Sequence, residues 1–89
     1  MEKSVAIGDI VFSRAGRDKG RFFIVTEIVD DVFVRIADGD VRRLEKAKLK
    51  KIKHLKITGE SVDSIAGKLE KGTKVYDAEI YSALRKYNF

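Results

Sequence analysis

The chain has 89 residues, 44% hydrophobic and 37% charged, which is enough for one hydrophobic core and too few for two. With no cysteine and one histidine, disulfide frameworks, thiolate zinc sites, cysteine nucleophiles and histidine-rich metal centres are excluded, and neither a metal nor a cofactor is expected. The net charge is +5, and its uneven distribution points to a polyanionic partner.

In chain order, residues 9–14 read as a first strand, with Ile10 and Phe12 alternating with Val11 and Ser13. The glycine-containing segment RAGRDKGR follows as a loop. Residues 22–29 make a second strand, with Phe22, Ile24 and Ile28 on one face and Phe23, Val25 and Val29 on the other. The first set is expected inward, because its polar member Thr26 is cheaper to bury than Glu27. Asp30 and Asp31 turn the chain into a third strand, residues 32–37. Asp38-Gly39 is a two-residue hairpin signal and leads into a fourth strand expected at residues 40–44. A basic connector follows, and Leu55 and Ile57, alternating with His54 and Lys56, suit a short closing edge strand. Leu49, Ile52 and Leu55 could also line a helix over residues 45–57.

The period then changes. Val62, Ile65, Ala66 and Leu69 form a helical stripe with Ser61 as N-cap and Gly72 as its stop. Ile80, Ala83, Leu84 and Tyr87 form a second, capped by Asp77, with Glu79 in its first turn and Arg85 and Lys86 complementing its C-terminal dipole. Short strands and tight polar turns within the first 57 residues predict a small antiparallel barrel rather than a sandwich, which takes roughly 100 residues. The organisation expected is a barrel with its basic connector over residues 1–57 and a two-helix segment over residues 58–89, packed on the barrel or on a partner.

The cations occupy two places. Residues 14–21 hold Arg14, Arg17, Lys19 and Arg21 against Asp18, a net +3. Residues 42–56 hold Arg42, Arg43, Lys46, Lys48, Lys50, Lys51, Lys53 and Lys56 against Glu45, a net +7, so the rest of the chain sums to −5. A phosphate-binding loop is missing: Gly16 and Gly20 lack a following Lys-Ser or Lys-Thr, and Gly67-Lys68 is followed by Leu69. His54 lies in the most cationic stretch, with no carboxylate within five residues in sequence to form a catalytic pair, and the chain reads as non-enzymatic. Asp38 and Asp40 are explained as hairpin flanks. The longest uninterrupted apolar run is four residues, 22–25, and Gly8 and Asp9 interrupt the only stretch able to form a secretory leader core. A cytoplasmic, non-membrane protein is expected.

Arginines suit bidentate phosphate contacts, and Gly16 and Gly20 would shape the loop that carries Arg14, Arg17, Lys19 and Arg21. The connector adds Arg42, Arg43, Lys46, Lys48, Lys50, Lys51 and Lys53. No aromatic occurs between Phe33 and Tyr76, so the connector has no stacking platform of its own, which favours phosphates and 2′-hydroxyls of folded RNA over base-by-base reading. Charge reversal in the loop is expected to cost more affinity than reversal of two connector lysines, because only the loop is anchored between strands.

The segment GDIVFSRAGRDKGRFFIVTEIVDDVFV, residues 8–34, resembles a KOW motif. Extended through IADGDVRRLEK and the lysine run, the chain is similar to short bacterial KOW-domain RNA-binding proteins related to large-subunit ribosomal proteins of the archaeal and eukaryotic type. The resemblance implies an SH3-like barrel, binding to ribosomal or another structured RNA, and contacts from Arg14, Arg17, Lys19 and Arg21 with Gly16 and Gly20 shaping the loop. Many KOW motifs place another glycine soon after the basic loop, where this chain has Phe22 and Phe23. KOW motifs of NusG-type elongation factors bind protein or nucleic acid, which leaves a second expectation: an adaptor of the transcription or translation machinery that grips a peptide. The partners expected are thus structured RNA and a ribosomal or translation-factor protein, met by a free monomer.

Overall fold

A computed structural model describes residues 5–88. Five strands, β1 (Asp9–Ser13), β2 (Phe22–Ile28), β3 (Phe33–Ala37), β4 (Lys48–Lys51) and β5 (Leu55–Ser61), precede two helices, α1 (Asp63–Lys71) and α2 (Asp77–Asn88). The strands form one antiparallel sheet in the order β4-β3-β2-β1-β5. The fold is therefore mixed β/α. Among the described residues no ladder joins β4 to β5, so the sheet is not a closed barrel.

It is nevertheless strongly curled, by a constraint of chain length. A flat five-stranded sheet would hold its edge strands about 19 Å apart at ~4.8 Å per spacing. Only the short 3₁₀ turn Ile52–His54 joins β4 to β5, and that path reaches about 15 Å even fully stretched. The turn is also tied to both sides: the Ile52 amide donates to the Val32 carbonyl at 2.8 Å and the Arg14 amide to the His54 carbonyl at 2.9 Å.

Curling divides the apolar residues between two cores. Val11, Phe23, Val25, Val34, Ile36 and Leu55 fill the concave side. Ile10, Ile24 and Ala37 on the convex side pack against Ile65, Val75, Ile80 and Leu84 of the helical segment. Strand β2 is thus covered on both faces, and the expected inward set is corrected: Phe23, Val25 and Ile24 are all fully buried, whereas Ile28 is 42% exposed. A bulge between Val25 and Glu27 shifts the phase, so that Ile28 falls opposite Val34 instead of continuing the Phe22–Ile24 row, and Ile28 stands at the exposed end of the strand.

The fourth strand also differs from expectation. Asp38-Gly39 does turn the chain, with Gly39 at φ +77°, but residues 40–44 form no strand and lead instead to a 3₁₀ turn at Leu44–Lys46. Asp38 Oδ1 accepts the amides of Asp40 and Arg42 at 2.9 and 2.8 Å, removing donors that a ladder would use. Strand β4 lies inside the basic segment, which is neither a free connector nor a helix. Likewise β5 runs through residue 61, past the boundary expected at 57.

The stripes predicted for the helices are the faces they bury, and α1 stops at Gly72, whose amide donates to Leu69 and Lys68 carbonyls. The caps differ. Val62 rather than Ser61 precedes α1, without a side-chain cap, and the Ser61 hydroxyl donates to Asp63 instead. Asp77 accepts the Leu44 amide at 2.7 Å, and Glu79 accepts the Tyr76 amide at 3.0 Å, the reciprocal half of a capping box. The Lys68 ammonium, 2.7 Å from Glu79, and that amide hold the Glu79 carboxyl below its usual range. At the far end of α2, Asn88 accepts the Phe22 amide at 2.9 Å and donates to the Phe22 carbonyl at 3.2 Å, pinning the helix to the start of β2. Among the described residues no helix is long and apolar enough to cross a membrane.

Candidate nucleic-acid interface

The loop between β1 and β2 is built by its own backbone. The Ser13 amide donates to the Arg21 carbonyl and the Gly20 amide to the Ser13 carbonyl, both at 2.9 Å, closing its base. Inside it the Lys19 amide reaches the Gly16 carbonyl and the Arg21 amide the Asp18 carbonyl, both at 3.2 Å. Gly16 and Gly20 stand at φ +81° and +92°, a region that side-chain-bearing residues rarely enter, so these two positions shape the loop.

Four contacts then join this loop to the second half of the sheet. Arg42 Nε donates to both oxygens of Asp18 at 3.2 Å, with Nη2 at the same distance from Oδ2. The Lys50 ammonium donates to the Ala15 carbonyl at 2.7 Å. Arg14 Nη2 donates to the Lys53 carbonyl at 3.3 Å. Arg21 Nη2 and Nε donate to Asp38 Oδ2 at 2.9 and 3.2 Å. The two basic segments, distant in sequence, are consequently neighbours.

These contacts sort the candidate residues. Arg21 and Arg42 face carboxylates whose side chains are 0% and 5% exposed, and Lys50 is itself buried. All three are spent on holding loop and sheet together, and every buried side-chain nitrogen or oxygen among the described residues has a hydrogen-bond partner. Arg14, Arg17 and Lys19 on the loop, and Arg43, Lys46, Lys48, Lys51 and Lys53 on the second segment, are exposed. No carboxylate of the described residues pairs with these eight. The register sets Lys48 on the Val34–Ile36 side of the sheet and Lys51 on the Phe33–Arg35 side. These cations therefore stand around the loop and the β4 edge, open to a polyanion, rather than on one sheet face.

Sequence reasoning counted cations and could not tell anchors from free charges. The signal was present in Asp18, the one acid inside a basic loop, and in the pair Asp38 and Asp40. A second feature was missed. Phe12 and Phe22 pair across β1 and β2, and Phe12 also faces Lys56 on β5, so aromatics from outside the basic connector stand beside its last lysine. No family model matches the chain.

Proposed function

We propose that the chain is a non-enzymatic RNA-binding protein of the KOW type, which works as a monomer in the cytoplasm and contacts structured RNA, ribosomal RNA foremost, through phosphates. One observation carries the reading: contacts of Arg42 with Asp18 and of Lys50 with Ala15 hold two basic segments, distant in sequence, side by side. A solvated charge run would need no such cross-links. The consecutive edge strands, joined by a 3₁₀ turn that forces the sheet to curl, support an SH3-like barrel that stays open at the β4–β5 seam. The position of the glycine-shaped basic loop between β1 and β2 agrees with the resemblance over residues 8–34. Exposure of Phe23 or Phe33 would favour a peptide-gripping adaptor; Phe23 is fully buried and Phe33 is half-buried.

Sedimentation of cell lysate through a salt-containing gradient tests the proposal. The chain is expected to travel with ribosomal particles at low salt and to be released at high salt, since phosphate contacts are lost as counterions compete. A chain that stays at the top of the gradient at every salt concentration, or one whose association with the particles is indifferent to salt, would favour the adaptor.

A further inference from the structure

Antiparallel register sets Phe12 between Phe22 on β2 and Lys56 on β5, so the three side chains form one row across three strands on the convex face. The Phe12 and Phe22 rings lie 4.9 Å apart between centroids at 59°, and Tyr87 of α2 packs on Phe22 at 5.2 Å. The helices cover Ile10 and Ile24 on this face, and Phe22 and Tyr87 border that core. Beyond them Phe12, Phe22, Lys56 and Thr58 line an open cleft of about 380 Å³, within the range of small-ligand sites. The Thr58 hydroxyl is already used, donating to the Ile10 carbonyl at 2.7 Å and accepting the Glu60 amide at 3.1 Å.

The cleft therefore offers a partly open aromatic face, one cation and no free hydroxyl donor. It opens at the base of the basic loop: Phe12 stands two residues before the exposed Arg14 and Phe22 directly follows the loop's last residue, Arg21. A polyanion held by that loop brings its own units to the cleft, and in RNA each unit carries a flat π face. Bases in a paired stem are stacked away, whereas an unpaired nucleotide can be splayed onto an aromatic ring. The geometry points to a nucleobase site, in which Phe12 stacks the base of one unpaired nucleotide and the Lys56 ammonium meets its phosphate. This inference rests on the RNA-binding reading above. With the Thr58 proton already donated to Ile10, the site offers a base an aromatic face and no hydroxyl donor for its edge, so it selects an unpaired position rather than a sequence.

The test uses the full chain and two RNA hairpins, one fully paired with 2-aminopurine in its stem and one carrying 2-aminopurine as a single bulged nucleotide. The bulged hairpin is expected to bind about tenfold more tightly, the size of one base–aromatic stack, with its fluorescence quenched on binding. Phe12→Leu, which keeps an apolar side chain, is expected to bring the two affinities together and abolish the quench, and Phe12→Tyr to retain both. Equal affinity of the unaltered chain for the two hairpins, or a preference that survives Phe12→Leu, would overturn the base site and leave phosphate binding standing. Failure to bind either hairpin at low salt would overturn the RNA reading and the site with it.

Discussion

Asp38 shows how much a single buried residue organises here. One carboxylate oxygen holds the turn by accepting the Asp40 and Arg42 amides, and the other accepts Arg21. Removal of a buried partner leaves donors unsatisfied and a guanidinium unpaired; because the Arg21 side chain remains 30% exposed, water offsets part of the loss. Asp38→Ala is expected to destabilise the fold by about 2–4 kcal/mol, read by urea denaturation. Asp38→Asn keeps an oxygen for the turn and loses only the charge, so it should cost clearly less; equal losses for the two would mean that the turn bonds contribute nothing. In the sequence this residue was legible as a turn-former through its neighbour Gly39. Its second role was not, because Arg21 lies in the loop before β2, 17 residues away in sequence, and local pattern carries no information about which cation will reach a buried acid.

At the scale of elements, position and type were legible wherever apolar periodicity was strong. Strands β1, β2 and β3, the start of β5 and both helical stripes follow the alternation or the 3.6-residue spacing of their apolar residues. Strand β4, KLKK, does not: Leu49 is 42% exposed while Lys50 is buried. An edge strand tolerates this inversion, since inward-pointing lysine is one way such strands avoid pairing with other chains, and the Lys50 ammonium finds the Ala15 carbonyl. The docking of α2 was equally hidden. Gly39 supplies the positive φ that the sequence suggests, but a Cβ there would also overlap the Asp77 carbonyl at the start of α2. Gly39→Ala is therefore expected to lower stability by more than the roughly 1–3 kcal/mol of backbone strain alone and to reduce amide protection in α2. A loss confined to the turn, with α2 protected as before, would show that the close approach is relaxed at little cost.

Across the whole molecule, helices cover the convex face, and eight exposed cations, with which no carboxylate of the described residues pairs, surround the loop and the β4 edge. The sequence revealed the two basic segments but not that β4 stiffens the second one. With Lys48 and Lys51 on a strand, the entropic advantage expected for the loop disappears, and both segments should contribute comparably to binding. The central claim, that they act as one phosphate-binding surface, is tested most directly by the salt dependence of the dissociation constant for a paired RNA hairpin. It should be measured for the unaltered chain, for Arg17→Glu with Lys19→Glu, and for Lys48→Glu with Lys51→Glu. About six phosphate contacts give a log–log slope of about −5, a loss of affinity of about a thousandfold between 50 and 200 mM salt, and each double variant should make the slope shallower by about two. A slope near zero, or a slope altered by only one of the two double variants, would contradict a single surface built from both segments.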